Sequence, residues 1–155
     1  MRNLCTVYRK DTGQIVQYSE FTCQEDDEFI RKNFEVRVAM WGEETHAYVE
    51  AESNRDLQYV AVIDGIPNVV DKPELIVFVE NDKTTIQADG MDETTLTGLP
   101  DPCEIIIDDP DPTVETQRIE VTGGGFIFAA ENPGLYTIEV IRFPFLSWKV
   151  EITAL

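Results

Sequence analysis

The chain has 155 residues, 43% of them hydrophobic and 10% aromatic, which suits one domain or two small ones and is too apolar for wholesale disorder. Its formal charge is −18, from 30 acidic and 12 basic residues. Phosphate backbones and anionic membrane surfaces repel such a chain, so neither nucleic acid nor a membrane is expected as a partner.

The elements follow in chain order. Leu4–Tyr8 and Gln14–Tyr18 are short β-type runs joined by Arg9-Lys10-Asp11-Thr12-Gly13, where Asp and Gly supply hairpin-turn chemistry. In Gln24–Phe34 acids lead and bases follow, which suits a helix dipole and marks the one helix candidate. Val36–Trp41, His46–Ala51 and Leu57–Ile63 read as strands, with Asp64-Gly65 as a turn. All eight prolines lie after Ile66, seven of them from Pro73 onward. The charge shifts with them: residues 1–72 hold 14 acidic and 8 basic groups, and residues 73–155 hold 16 and 4. A boundary is therefore expected near Asp71-Lys72-Pro73.

Beyond it come eight strand-like runs: Leu75–Val79, Thr84–Ala88, Thr94–Leu99, Glu104–Ile107, Gln117–Val121, Phe126–Ala129, Leu135–Ile141 and Ser147–Ile152. Turn signals such as Asp89-Gly90, Asp108-Asp109-Pro110-Asp111-Pro112, Gly123-Gly124-Gly125 and Asn132-Pro133-Gly134 separate them. That spacing predicts an all-β chain, a β-rich region over 1–72 followed by an Ig-like β-sandwich over 73–155. The alternation in Leu135–Val140 puts Tyr136, Ile138 and Val140 on one face. Tyr136 follows a Pro-Gly corner, where such sandwiches bond a tyrosine hydroxyl to nearby backbone.

The residues for catalysis are sparse. His46 is the one histidine, and a Ser-His-Asp or Cys-His arrangement would need it to serve every role. Cys5, Cys23 and Cys103 show no Cys-x-x-Cys spacing and read as buried free thiols, although Cys5 and Cys23 flank the first hairpin and leave a disulfide open. Gly123-Gly124-Gly125 lacks the Lys-Ser/Thr of a phosphate loop and reads as a hairpin turn needing positive φ. Asp108, Asp109 and Asp111 are the best carboxylates for calcium, but they miss the ligand spacing of a helix–loop–helix calcium loop, and two prolines stiffen them into a solvated turn. No enzyme, cofactor or metal is expected.

Several phrases resemble small tail-region structural proteins of bacteriophages that carry a bacterial Ig-like module. They are Asp82-Lys83-Thr84-Thr85-Ile86-Gln87-Ala88-Asp89-Gly90, Thr95-Leu96-Thr97-Gly98-Leu99-Pro100-Asp101-Pro102-Cys103 and Asn132-Pro133-Gly134-Leu135-Tyr136-Thr137-Ile138-Glu139-Val140 with Phe143-Pro144-Phe145-Leu146. Tyr8–Val16 is similar to the opening hairpin of the same proteins, while residues 19–60 match nothing in them. The resemblance implies a virion structural protein made in the host cytoplasm, since Met1-Arg2-Asn3-Leu4-Cys5-Thr6 shows no secretory segment. It implies a place at the tail, baseplate or fibre, with other virion proteins as partners in a symmetric multi-copy assembly. Capsid decoration, a carbohydrate-binding module on a host surface glycan and a fibre-assembly chaperone are the alternatives. Interface candidates are Met40 and Trp41, read as closing a strand before an acidic loop, and Phe143, Phe145, Leu146 and Trp148, because aromatics dominate interface hot spots. Filling the core is the competing role for the same rings.

Overall fold

In the computed structural model, which describes residues 2–22 and 27–155, the chain divides between Lys72 and Pro73 into two units, each built on its own sheets. The first unit starts as an antiparallel hairpin, β1 (Arg2–Arg9) and β2 (Ile15–Thr22), with β3 (His46–Val49) on the other side of β1. The connecting turn closes when the Gly13 N–H donates to the Arg9 carbonyl at 2.8 Å and the Arg9 N–H to the Gln14 carbonyl at 2.9 Å. Gly13 sits at φ +78°, and a Cβ there would lie 2.0 Å from the Val60 carbonyl oxygen. Only glycine meets both conditions.

Side chains alternate across a strand, so the two faces of this sheet have different partners. Cys5 and Val7 pack under α1 (Asp27–Trp41), whose Phe34 and Val38 are buried against them. Tyr8 and Ile15 pack on the opposite face with Val60. Val60 belongs to β4 (Gln58–Ile63), which pairs with β5 (Ile66–Asp71) through the Asp64-Gly65 turn. Both turn residues have positive φ, 53° and 79°, as a tight two-residue hairpin requires.

Two expectations for this unit are corrected. Val36–Trp41 is the last part of α1 and not a strand. Val36 and Val38 suggest a period of two, but Ile30, Phe34 and Val38 recur every four residues and meet the sheet together, and that tertiary contact decides the conformation. Met40 and Trp41 therefore close a helix, which Gly42 ends at φ +99° with its N–H on the Val38 carbonyl at 3.0 Å. Ile66–Asp71, where no strand was expected, is β5; Pro67 is tolerated because β5 is an edge. The expected helix start at Gln24 and Cys23 itself lie outside the described residues. Cys5 is a buried free thiol.

The second unit is an Ig-like β-sandwich. Its strands are β6 (Phe78–Val79), β7 (Thr85–Ile86), β8 (Glu93–Thr97), β9 (Cys103–Asp108), β10 (Gln117–Val121), β11 (Gly125–Ala129), β12 (Gly134–Ile141) and β13 (Trp148–Ala154). A five-stranded sheet, β10-β9-β12-β13-β7, faces a three-stranded one, β11-β8-β6. The chain passes repeatedly between the sheets, and its first strand splits: β6 joins β8, then β7 crosses over to pair in parallel with β13. Such crossing between two sheets over one core is the arrangement of an Ig-like fold. The core is continuous, and Ile86, Leu96, Ile105, Ile138, Val140 and Ile152 are almost wholly enclosed. Each such side chain contributes roughly 1.5–3 kcal/mol of burial.

Tyr136, Ile138 and Val140 face that core, as the alternation in β12 predicts. The Tyr136 hydroxyl donates to the Asn132 carbonyl at 3.0 Å, the expected corner, and its ring meets Phe128 edge-on at 5.2 Å. The three glycines after β10 do have positive φ at Gly123 and Gly124. They do not make a hairpin, because β10 pairs with β9 and β11 with β8. The segment is the corner at which the chain changes sheets. Among the described residues, no helix is long and apolar enough to cross a membrane.

Candidate protein interface

The residues that carry the phage-module resemblance hold the sandwich together. Asp89 accepts the Met91 and Asp92 N–H groups, both at 2.8 Å, and Gly90 turns at φ +72°. Asp92 in turn accepts the Gln87 N–H at 2.8 Å and a bond from the Lys83 ammonium. These donors hold both carboxyls below their ordinary value: for Asp89 chiefly the backbone N–H groups, for Asp92 chiefly Lys83. Thr94, buried in β8, is satisfied by donating its hydroxyl to the Lys83 carbonyl at 2.6 Å. Gly134 lies against Pro110, where a Cβ would approach the ring to 2.4 Å.

The carboxylates proposed for calcium are engaged within their own turn. Asp109 accepts the Asp111 N–H at 2.9 Å, Asp111 accepts the Thr113 N–H and hydroxyl, and Asp108 accepts the Thr116 hydroxyl. Among the described residues, no three His, Cys, Asp or Glu side chains gather as a metal site would require. His46 begins β3, its Nδ1 2.8 Å from the neighbouring Thr45 hydroxyl and its ring 6.0 Å from Trp41. A cleft of about 400 Å³ beside it is lined by Lys10, Glu35, Glu43 and Tyr48, among others. Neither described cysteine lines that cleft, and burial pushes the Cys5 thiol up to about 11 and that of Cys103 up as well.

The apolar candidates separate into two kinds. Phe145, in the connection from β12 to β13, and Trp148, the first residue of β13, are half-buried against the sandwich core, with Phe143 and Leu146 half-buried in the same connection. The segment is anchored by the Leu146 N–H, which donates to the Pro73 carbonyl at 2.8 Å. Met40, by contrast, is 77% exposed, and the exposed Trp41 is fixed by its indole N–H donating to Gln17 Oε1 at 2.9 Å. Phe29, Val36 and Met40 fall within about 40° of one another around the helix axis at 100° per residue. They form one exposed apolar stripe on the side of α1 away from Phe34 and Val38.

A second exposed group escaped the sequence reading. Val62, Ile63 and Ile66 crowd the tip of the β4–β5 hairpin, each more than half exposed. The signal was present as three large aliphatics around an Asp-Gly turn, where polar residues are the norm. Ile76 and Phe78 near β6, and Ile127 on β11, are exposed on the second unit.

No family model and no curated protein sequence matches the chain. A solved structure of a glycosyl hydrolase family 2 (GH2) member from Bacteroides cellulosilyticus DSM 14838 is similar at a TM-score of 0.34 and 12% identity. The alignment covers 97% of this chain and 23% of that one. The Ig-like assignment rests on the strand order and core described above.

Proposed function

We propose that this chain is a non-enzymatic structural protein of a bacteriophage particle, set at the tail, baseplate or fibre attachment and acting by protein–protein contact. The observation that carries this reading is a pair of outward apolar patches on the first unit, Val36 and Met40 on α1 and Val62, Ile63 and Ile66 on the hairpin tip. Exposed apolar groups gathered on regular elements mark protein interaction sites. In the second unit, the residues resembling the phage module act as scaffold, which suits a spacer more than a reactive site. The extreme acidity opposes unspecific association of free copies before assembly.

Quantitative mass spectrometry of purified particles tests the reading. A few to a few dozen copies per particle place the chain at the tail, and hundreds place it on the capsid as a decoration protein. Absence from the particle overturns the virion reading. A glycan-binding role draws on the exposed Trp41 ring, and loss of glycan-array binding in Trp41→Ala is its test.

A further inference from the structure

An exposed strand edge presents unpaired N–H and C=O groups, and proteins that stay monomeric blunt such edges with charge, proline or brevity. The sandwich has four edge strands. β6 and β7 are two residues long, and β10 carries Arg118 and Glu120. β11 is five residues, Gly125-Phe126-Ile127-Phe128-Ala129, with neither charge nor proline. It pairs with β8 on one side only. Among the described residues, no loop backbone bonds to its open side. Beside it runs a crevice of about 330 Å³ whose lining includes Ile119, Phe126 and Phe128.

We propose that β11 is a self-pairing edge, through which two copies of this chain join antiparallel about a twofold axis. Their three-stranded sheets then merge into one six-stranded sheet. The occupant is a second copy because the strand is nearly palindromic about Ile127. An antiparallel register centred there sets Ile127 against Ile127 of the partner subunit on the outward face, and Phe126 beside Phe128 of the partner subunit on the core-facing side. The same register places Glu131 opposite the partner's Gly123, so no like charges meet along the seam. Alternate side chains of the added strand reach over the crevice, as in other strand additions. The net charge of −18 on each copy opposes approach. Salt screens that repulsion and leaves the strand bonds intact, so dimerisation strengthens as ionic strength rises.

The inference rests on the edge alone, and the particle census tests the virion reading separately. Sedimentation velocity of the full chain, at low and high sodium chloride, reads it directly. The expected result is a concentration-dependent species of twice the monomer mass that grows at least tenfold in population from low to high salt. Hydrogen exchange on that species newly protects the amides of 125–129 that face the open edge, those facing β8 being bonded already. Ile127 is 57% exposed and points outward, so Ile127→Lys keeps the monomer's circular dichroism and melting temperature while abolishing the dimer. Ile76→Lys, at a residue 72% exposed by the other edge of the same sheet, leaves the dimer intact. A monomer at every salt concentration overturns the proposal. So does a dimer insensitive to Ile127→Lys, lost in Ile76→Lys, or protected outside β11.

Discussion

The two units solve the burial problem differently. The sandwich encloses one continuous core between two sheets, with 16 buried residues. The first unit wraps three strands with a helix on one face and a hairpin on the other, and so, among the described residues, divides its burial into clusters of four and three buried residues. A thin sheet with two small cores has little reserve, because stability is a small remainder between large opposing terms. The same unit leaves large aliphatics in water along α1 and at the hairpin tip. A region that divides its burial between small clusters and still exposes aliphatics is one that gains from a neighbour, whereas the sandwich, which also exposes Ile76, Phe78 and Ile127, has a continuous core of its own.

Matched core truncations give the largest expected effect. Phe34→Ala and Ile138→Ala each remove a fully buried side chain and cost about 3–5 and 2–5 kcal/mol respectively. Calorimetry is expected to show Phe34→Ala abolishing a lower-temperature transition and Ile138→Ala only lowering an upper one. A single transition shifted equally by both would break the comparison. Gly13→Ala comes next, at about 2–3 kcal/mol, because it adds left-handed strain to a clash with the Val60 carbonyl. Gly65→Ala sharpens it: φ is also positive, but a Cβ there meets nothing within 4 Å, so about 1 kcal/mol of strain remains. Urea titration of the pair separates close approach from backbone strain.

Smaller effects belong to the sandwich. Tyr136→Phe removes the bond to the Asn132 carbonyl and lowers stability by about 1 kcal/mol. The smallest is acid sensitivity. Asp89 and Asp92 titrate below 3.8 in the folded chain, so their contribution is present above that value and is lost as pH falls through the lower folded ones. The upper melting temperature should drop below pH 4, and less steeply in Asp92→Asn, which starts lower at neutral pH.

Much of the sandwich was legible because its strands are short, alternating and punctuated. Gln117–Val121 is β10 residue for residue, and Leu135–Ile141 falls within β12. Sheet membership was not legible, since a triple glycine reads as a hairpin whether or not the chain changes sheets. In the first unit the helix was cut short at Phe34, because its second half is rich in valine and ends in tryptophan. Only contact with β1 shows that Phe34 and Val38 share a face. Met40 and Trp41 were singled out for their chemistry, but their exposure follows from the helix that the sequence concealed. The hairpin tip was missed because Asp64-Gly65 was read as a turn with no strand following it, whereas Ile66–Asp71 is β5.

Hydrogen exchange on the free protein, compared with the same chain in purified particles, tests the central claim most directly. The account predicts that assembly protects α1 and the β4–β5 hairpin while the sandwich core, already slow to exchange, is unchanged. Unaltered exchange in both of those elements, with new protection confined to the sandwich, would contradict it and make the second unit the point of attachment.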